Sequence, residues 1–188
     1  MSNSWFEQVS ADQFVTQGDI ICDCPVMGWK SDVSFDSASF EELQAGRDAF
    51  KCDVIVMTQA CDLENRKVES VILCPCTLLS EFRSDWEFTE KTRKQNPSDK
   101  AFHKLCERIA SGAMWNLTLL NHSGSGNDHR VVDFQEVYTI PRRFLEQFIV
   151  ARGNPRIRLL PPYREHLSQS FARFFMRVGL PVGITDLP

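Results

Sequence analysis

Two short apolar runs on either side of a charged turn constrain the fold more than any other feature of the chain. The runs are residues 54–57 (Val-Ile-Val-Met) and 71–73 (Val-Ile-Leu), and the turn spans residues 62–67. Short β-branched runs that flank a polar turn are typical of paired strands. Continuous apolarity, without alternation, indicates that both faces of the strands are covered. The sequence therefore predicts a buried strand pair at the centre of a sheet.

Length and composition favour one domain with its own core. The chain has 188 residues, of which 43% are hydrophobic, and we expect a single domain over residues 1–188. No apolar run approaches the roughly 18 residues of a membrane span. The first residues also lack the basic and apolar segments of a signal peptide. We therefore expect a cytoplasmic protein without membrane contact, whose seven cysteines are reduced.

A helical insertion is predicted over residues 78–114. Leu79, Phe82 and Trp86 recur at spacings of three and four, which is the period of one helix face. The run Asn-Pro-Ser at 96–98 interrupts this pattern, and Ser98 is placed to cap a second helix over residues 99–110.

The remaining elements follow from local signals. A capping box at Ser39 and Glu42 predicts a short helix over residues 40–45, and Pro25 is expected to end the first strand. The other predicted elements are a helical turn at 11–14, strands at 20–25, 115–121, 130–140 and 156–160, a hairpin loop at 122–128, and a final helix at 163–178.

Several of these segments resemble the MazF/PemK group of toxin-like proteins in their order and in short motifs. Gly-Asp-Ile-Ile at 18–21 opens a strand, Val-Ile-Val-Met-Thr at 54–58 forms the next, and Pro-Cys-Thr at 75–77 ends the third. A later strand, Val-Val-Asp-Phe-Gln-Glu-Val-Tyr-Thr-Ile at 131–140, precedes the terminal helix. The resemblance implies an α+β fold with a mainly β core. Its form would be an SH3-like barrel of the MazF/PemK type, with inserted helices and a C-terminal helix.

The same resemblance implies a metal-independent endoribonuclease that cuts single-stranded RNA within a toxin–antitoxin system, often as a homodimer and without a cofactor. The family's catalytic Thr matches Thr77, whereas its Arg matches Cys52, so the nearest cations are Lys51 and Arg47. Attack by a ribose 2′-OH needs a cation at the phosphate, and Lys does not replace a bidentate Arg. The alternative is a catalytically inactive barrel that binds a nucleic acid or a protein, such as an antitoxin, as a regulatory module.

The charge of the chain is distributed unevenly. The net charge is −4, which argues against a general nucleic-acid coat, but residues 141–180 carry eight Arg against two Glu. Either these arginines pair with the acidic N-terminal half, or some of them bind a polyanion or an acidic partner. The candidates for such binding are Arg142, Arg143, Arg156 and Arg158.

The segment after the first central strand, Thr-Gln-Ala-Cys-Asp at 58–62, has no counterpart in that family. Gln59, Cys61 and Asp62 either form a binding site or hold a turn. Cys61 as a nucleophile would need a base, usually His. A second alternative is a structural zinc site in which the pairs Cys22/Cys24 and Cys74/Cys76 converge. The chain is nevertheless expected to hold no metal, because cysteine is more often a small apolar core residue.

Overall fold

The computed structural model describes residues 4–34, 39–121 and 129–176. In these ranges the chain has eight strands and six helices, and every strand pair is antiparallel, so the predicted α+β class is confirmed. The strands are β1 (Phe6–Val9), β2 (Asp19–Trp29), β3 (Arg47–Val56), β4 (Ser70–Leu78), β5 (Leu117–Leu120), β6 (Arg130–Asp133), β7 (Tyr138–Pro141) and β8 (Arg156–Leu159). The helices are α1 (Phe40–Ala45), α2 (Ala60–Glu64), α3 (Leu79–Thr92), α4 (Asp99–Ala110), α5 (Arg142–Arg152) and α6 (Tyr163–Phe175). No helix among the described residues is both long and apolar enough to cross a membrane.

The predicted central strand pair is present. β3 and β4 pair antiparallel, with Val54 opposite Pro75 and Val56 opposite Leu73. The pairing order is β1-β8-β2-β3-β4-β6-β5, and β7 also pairs with β4. Among the described strands no pairing joins β1 to β5, so the sheet is open.

Both faces of the central strands are covered, as continuous apolarity predicts. On one face, Val54 and Leu73 pack in a core cluster that includes Leu145 and Ile149 of α5. On the other, Ile55 packs in a cluster that includes Leu167 of α6. We call these two sides the α5 face and the α6 face. A third cluster joins α3 and α4 to β5 and β6.

Two of the local helix signals are confirmed. Ser39 caps α1, and both hydrogen bonds of the capping box with Glu42 are formed. The Ser98 side chain accepts a hydrogen bond from the Ala101 amide and caps α4. The two helices predicted within residues 78–114 are α3 and α4.

Three predictions are wrong in detail, and one helix was missed. Pro25 does not end β2, which continues to Trp29, because beyond the start of β2 only one of its edges is paired and a missing N–H is tolerated there. The segment 11–14 is a turn without a helix. The strand predicted at 130–140 is split at 134–137. The helix α5 had not been predicted. The hairpin loop 122–128 and the end of the last helix at 177–178 lie outside the described residues.

Candidate functional site

Thr77 lies near the end of β4, half-buried. Alternation along the strand puts it on the same face as Leu73, and its partner in β6 is Val131. Val131 packs with Ile109 of α4 in the third core cluster. Thr77 therefore lies on the side of the sheet that α3 and α4 cover.

Lys51 and Arg47 lie on the opposite side. Both alternate in step with Ile55 along β3, which places them on the α6 face. Both are exposed, and Arg47 Nε donates to the Gln44 carbonyl at 3.3 Å. Within one chain, the fold does not bring Thr77 and either cation to a common phosphate.

The outer half of the β2–β3 hairpin instead collects aromatic and cationic side chains. Trp29 pairs with Arg47, Met27 with Ala49, and Pro25 with Lys51. Cross-strand partners share a face, so these side chains form one continuous strip. We call this strip the hairpin outer face: Pro25, Met27, Trp29, Arg47, Ala49 and Lys51.

The hairpin is exposed to solvent on the face that carries this strip, and its reverse face packs on the core. Trp29 and Met27 are 64% and 59% exposed, whereas Val26 on the reverse face is 1% exposed. The Phe50 ring on the reverse face packs edge-on against Tyr138, with 5.8 Å between centroids. The hairpin is thereby fixed to the core, while an indole and two cations face outward.

The four arginines that were predicted to bind anions differ in their surroundings. Arg156 and Arg158 both hold the Asp19 carboxylate, with Nε–O distances of 2.7 and 2.6 Å. These two arginines are therefore part of the fold's interior framework. Arg142 pairs with Glu146 at 2.8 Å. Among the described residues Arg143 makes no ion pair, and it is exposed on α5.

The segment at 58–62 starts α2. Gln59 is the residue before the helix, and its carbonyl accepts from the Asp62 amide at 3.1 Å, so its backbone forms a turn. The exposed Cys61 Sγ contacts Asp62 Oδ1 at 3.8 Å. Gln59 and Asp62 also line a cavity of about 270 Å³ against α6. The turn role is therefore present, and a binding role stays a prediction.

A bulge in β2 brings together polar groups whose contact the sequence did not indicate. The register shifts between Ile21 and Cys24, and Asp23 adopts a φ of 47°. Its amide donates to Asp53 Oδ1 at 2.9 Å. The other oxygen of Asp53 accepts from Arg130 at 2.9 Å, and Arg130 also donates to the Cys76 carbonyl at 2.7 Å. Asp53 thus joins the bulge to β6.

The bulge also separates the cysteines whose convergence the zinc alternative requires. Cys24 packs on the α5 face, whereas Cys74 and Cys76 pack on the α6 face. Cys22 is exposed beside Arg130. In residues 4–34, 39–121 and 129–176 no three His, Cys, Asp or Glu side chains are grouped to hold a metal ion.

The thiols differ in their expected reactivity. Burial raises the pKa of Cys24, Cys74 and Cys76 to about 12. At pH 8 such a pKa makes the thiolate fraction of each of these cysteines about a thousandfold smaller than that of an ordinary thiol. We expect iodoacetamide at pH 8 to label the exposed Cys61 first and to leave these three unlabelled in the native state, as read by peptide mass spectrometry.

Unfolding in urea supplies the control for this labelling, because all seven thiols should then react. Rapid native labelling of Cys74 or Cys76 would contradict the buried placement of β4.

No protein-family model matches the chain, and a search of curated proteins finds no match. Membership of the MazF/PemK group therefore stays a prediction from the motifs.

Proposed function

We propose that this chain is a nucleic-acid-directed protein of the MazF/PemK type that binds single-stranded RNA through the hairpin outer face. The observation that carries the proposal is the exposed Trp29 directly opposite Arg47. Aromatic side chains that stack bases, next to cations that contact phosphates, are the usual components of a single-strand binding surface. In the same proposal, the β2–β3–β4 meander belongs to an SH3-like barrel that helices extend.

The dimensions of the strip suit a strand of RNA. Arg47 and Lys51 are four residues apart on β3, which is about 13 Å in an extended strand. They can therefore contact different phosphates of one strand while Trp29 stacks on a base between or beside them. Lys51 makes no ion pair in the described part of the chain, so its charge is available to a ligand.

The arrangement favours binding over cleavage. Thr77 faces α3 and α4, away from Lys51 and Arg47. In-line cleavage needs donors and a cation at one phosphate. Endoribonuclease activity through Thr77 thus stays the alternative proposal, and it would require groups from another chain, for instance in a homodimer.

A protein partner is the second candidate occupant of the same strip. Met27 and Trp29 are exposed apolar side chains, and aromatic residues and Met are enriched at protein interfaces. An antitoxin-like protein or a second copy of the chain would fit this description. The RNA experiment below distinguishes these occupants.

We expect Trp29→Ala to weaken binding of a mixed-sequence single-stranded RNA by about fivefold or more, because base stacking contributes about 1–3 kcal/mol. The double variant Arg47→Ala/Lys51→Ala should reduce the slope of log affinity against log salt by about 1.4, at about 0.7 for each lost phosphate contact. Fluorescence anisotropy of labelled RNA between low and moderate salt measures both effects.

Matched controls lie on the inserted helices. Phe88→Ala removes an exposed ring from α3, and Lys100→Ala/Lys104→Ala removes two exposed cations from α4. Both should bind RNA like the wild type. Unchanged binding by Trp29→Ala, with a shift from dimer to monomer in solution, would show a protein interface instead. Cleavage by the wild type that is lost in Thr77→Ala would establish the nuclease alternative.

A further inference from the structure

A cavity of about 330 Å³ lies at the β2 bulge, between β2, the end of α5 and the start of β8. Most of its wall is apolar, and all but one of these apolar side chains also pack in the core clusters. The apolar wall residues are Ile20, Ile21, Phe148, Ile149, Pro155 and Ile157. This volume is at the small end of the range for ligand pockets, so it suits a compact ligand.

Two arginines from different elements line this cavity, and each of them contacts Cys22. Arg130 from β6 brings Nη2 to 4.0 Å from the Cys22 sulfur. Arg152 from the end of α5 donates to the Cys22 carbonyl and also pairs with Asp23 at 3.2 Å. The Arg152 guanidinium lies over the Phe148 ring, 5.4 Å from its centroid. Both guanidinium groups are held in place before any ligand arrives, which reduces the ordering cost of binding.

The charged side chains that line the cavity are all arginines: Arg130, Arg152 and Arg156. Their carboxylate partners are Asp53, Asp23 and Asp19, and none of these is among the described lining residues. Burial and the neighbouring Asp53 raise the pKa of the Cys22 thiol, so it adds no negative charge. A wall that presents guanidinium groups and no carboxylate favours an anionic ligand.

We propose that this cavity binds a small organic phosphate monoester, with its phosphate between Arg130 and Arg152 and its organic part against the isoleucine wall. A carboxylate is satisfied by one planar guanidinium fork, whereas a phosphate offers three terminal oxygens to two forks that approach from different directions. The proposal is independent of RNA binding at the hairpin outer face, because it uses none of that strip's residues.

Two kinds of ligand carry such a phosphate monoester: a free mononucleotide and an RNA with a 5′-terminal phosphate. Isothermal titration calorimetry with the four nucleoside 5′-monophosphates tests the first. A 5′-phosphorylated RNA trinucleotide tests the second, with the 5′-hydroxyl trinucleotide as its reference. Arg152→Met removes the charge but keeps an unbranched side chain over Phe148, and Arg143→Met is the matched control on the same helix.

We expect at least one phosphorylated probe to bind the wild type. Arg152→Met should weaken that binding by about tenfold or more, and Arg143→Met should leave it within about twofold. The probe that binds identifies the source. The proposal is overturned if no phosphorylated probe binds at millimolar concentration, or if Arg152→Met binds as well as the wild type. Equal affinity for inorganic phosphate would also overturn it, because the apolar wall would then contribute nothing.

Discussion

Asp19→Asn is expected to lower the free energy of unfolding by about 3–5 kcal/mol, because it removes the charge that compensates two guanidiniums at the centre of the fold. The Asp19 side chain is fully buried. It accepts four hydrogen bonds: from Arg156 at 2.7 Å, from Arg158 at 2.6 and 3.1 Å, and from the Thr16 amide at 3.1 Å. Asparagine keeps the shape but turns an NH₂ group towards donors, which leaves buried N–H groups without an acceptor.

Urea unfolding followed by circular dichroism measures this loss. Asp85→Asn is the matched control, since Asp85 is exposed on α3, and it should change stability by no more than about 0.5 kcal/mol. A loss below about 1 kcal/mol for Asp19→Asn would contradict the role of this carboxylate. The pair Arg156 and Arg158 would then be held mainly by the backbone carbonyls of the segment around Phe14.

The parts of the fold that the sequence predicts are those with local causes. The β3–β4 pair follows from two uninterrupted apolar runs, and α1 and α4 follow from caps that lie within three residues of their partners. The helix α5, which was not predicted, also has a local signal for a helix in its sequence. Leu145 and Ile149 are spaced by one helical turn, and Gly153 ends the helix in the left-handed region.

The polar groups around the bulge have no such local cause. Asp53 is joined to Arg130, 77 positions away, and Asp23 to Arg152, 129 positions away. The register shift at Asp23 then places Cys22 and Cys24 on different sides of the sheet. Period-two alternation predicts the opposite, because it presumes a strand without a bulge. Sites built from ion pairs across long sequence separations become visible only in three dimensions.

The hairpin outer face is only partly predictable from the sequence. The sequence offers Lys51 and Arg47 as cations for catalysis and predicts that Pro25 ends the strand. Because β2 continues past Pro25, Trp29 comes to lie opposite Arg47. The residues were visible in the sequence, but the surface they form depends on the length of the strand.

Phe134→Ala is expected to lower the free energy of unfolding by about 3–5 kcal/mol. Phe134 lies where the predicted long strand divides into β6 and β7, and it is fully buried. Its ring meets Phe171 edge-on, with 5.5 Å between centroids, and lies 6.3 Å from Phe174. The substitution leaves a cavity between the sheet and α6, which a fixed backbone cannot fill. Urea unfolding measures the loss, and the exposed Phe88→Ala is the control.

A double-mutant cycle isolates the part of this loss that docks α6. Combining Phe134→Ala with Phe171→Ala should give a coupling energy of about 0.5–1.5 kcal/mol, the range for an edge-to-face aromatic pair. The two single changes should therefore cost more in sum than the double variant. Strict additivity would contradict direct contact between the rings. It would mean that α6 is held to the sheet by Leu167 and the start of the helix, where Tyr163 stacks on Trp5 at 4.0 Å.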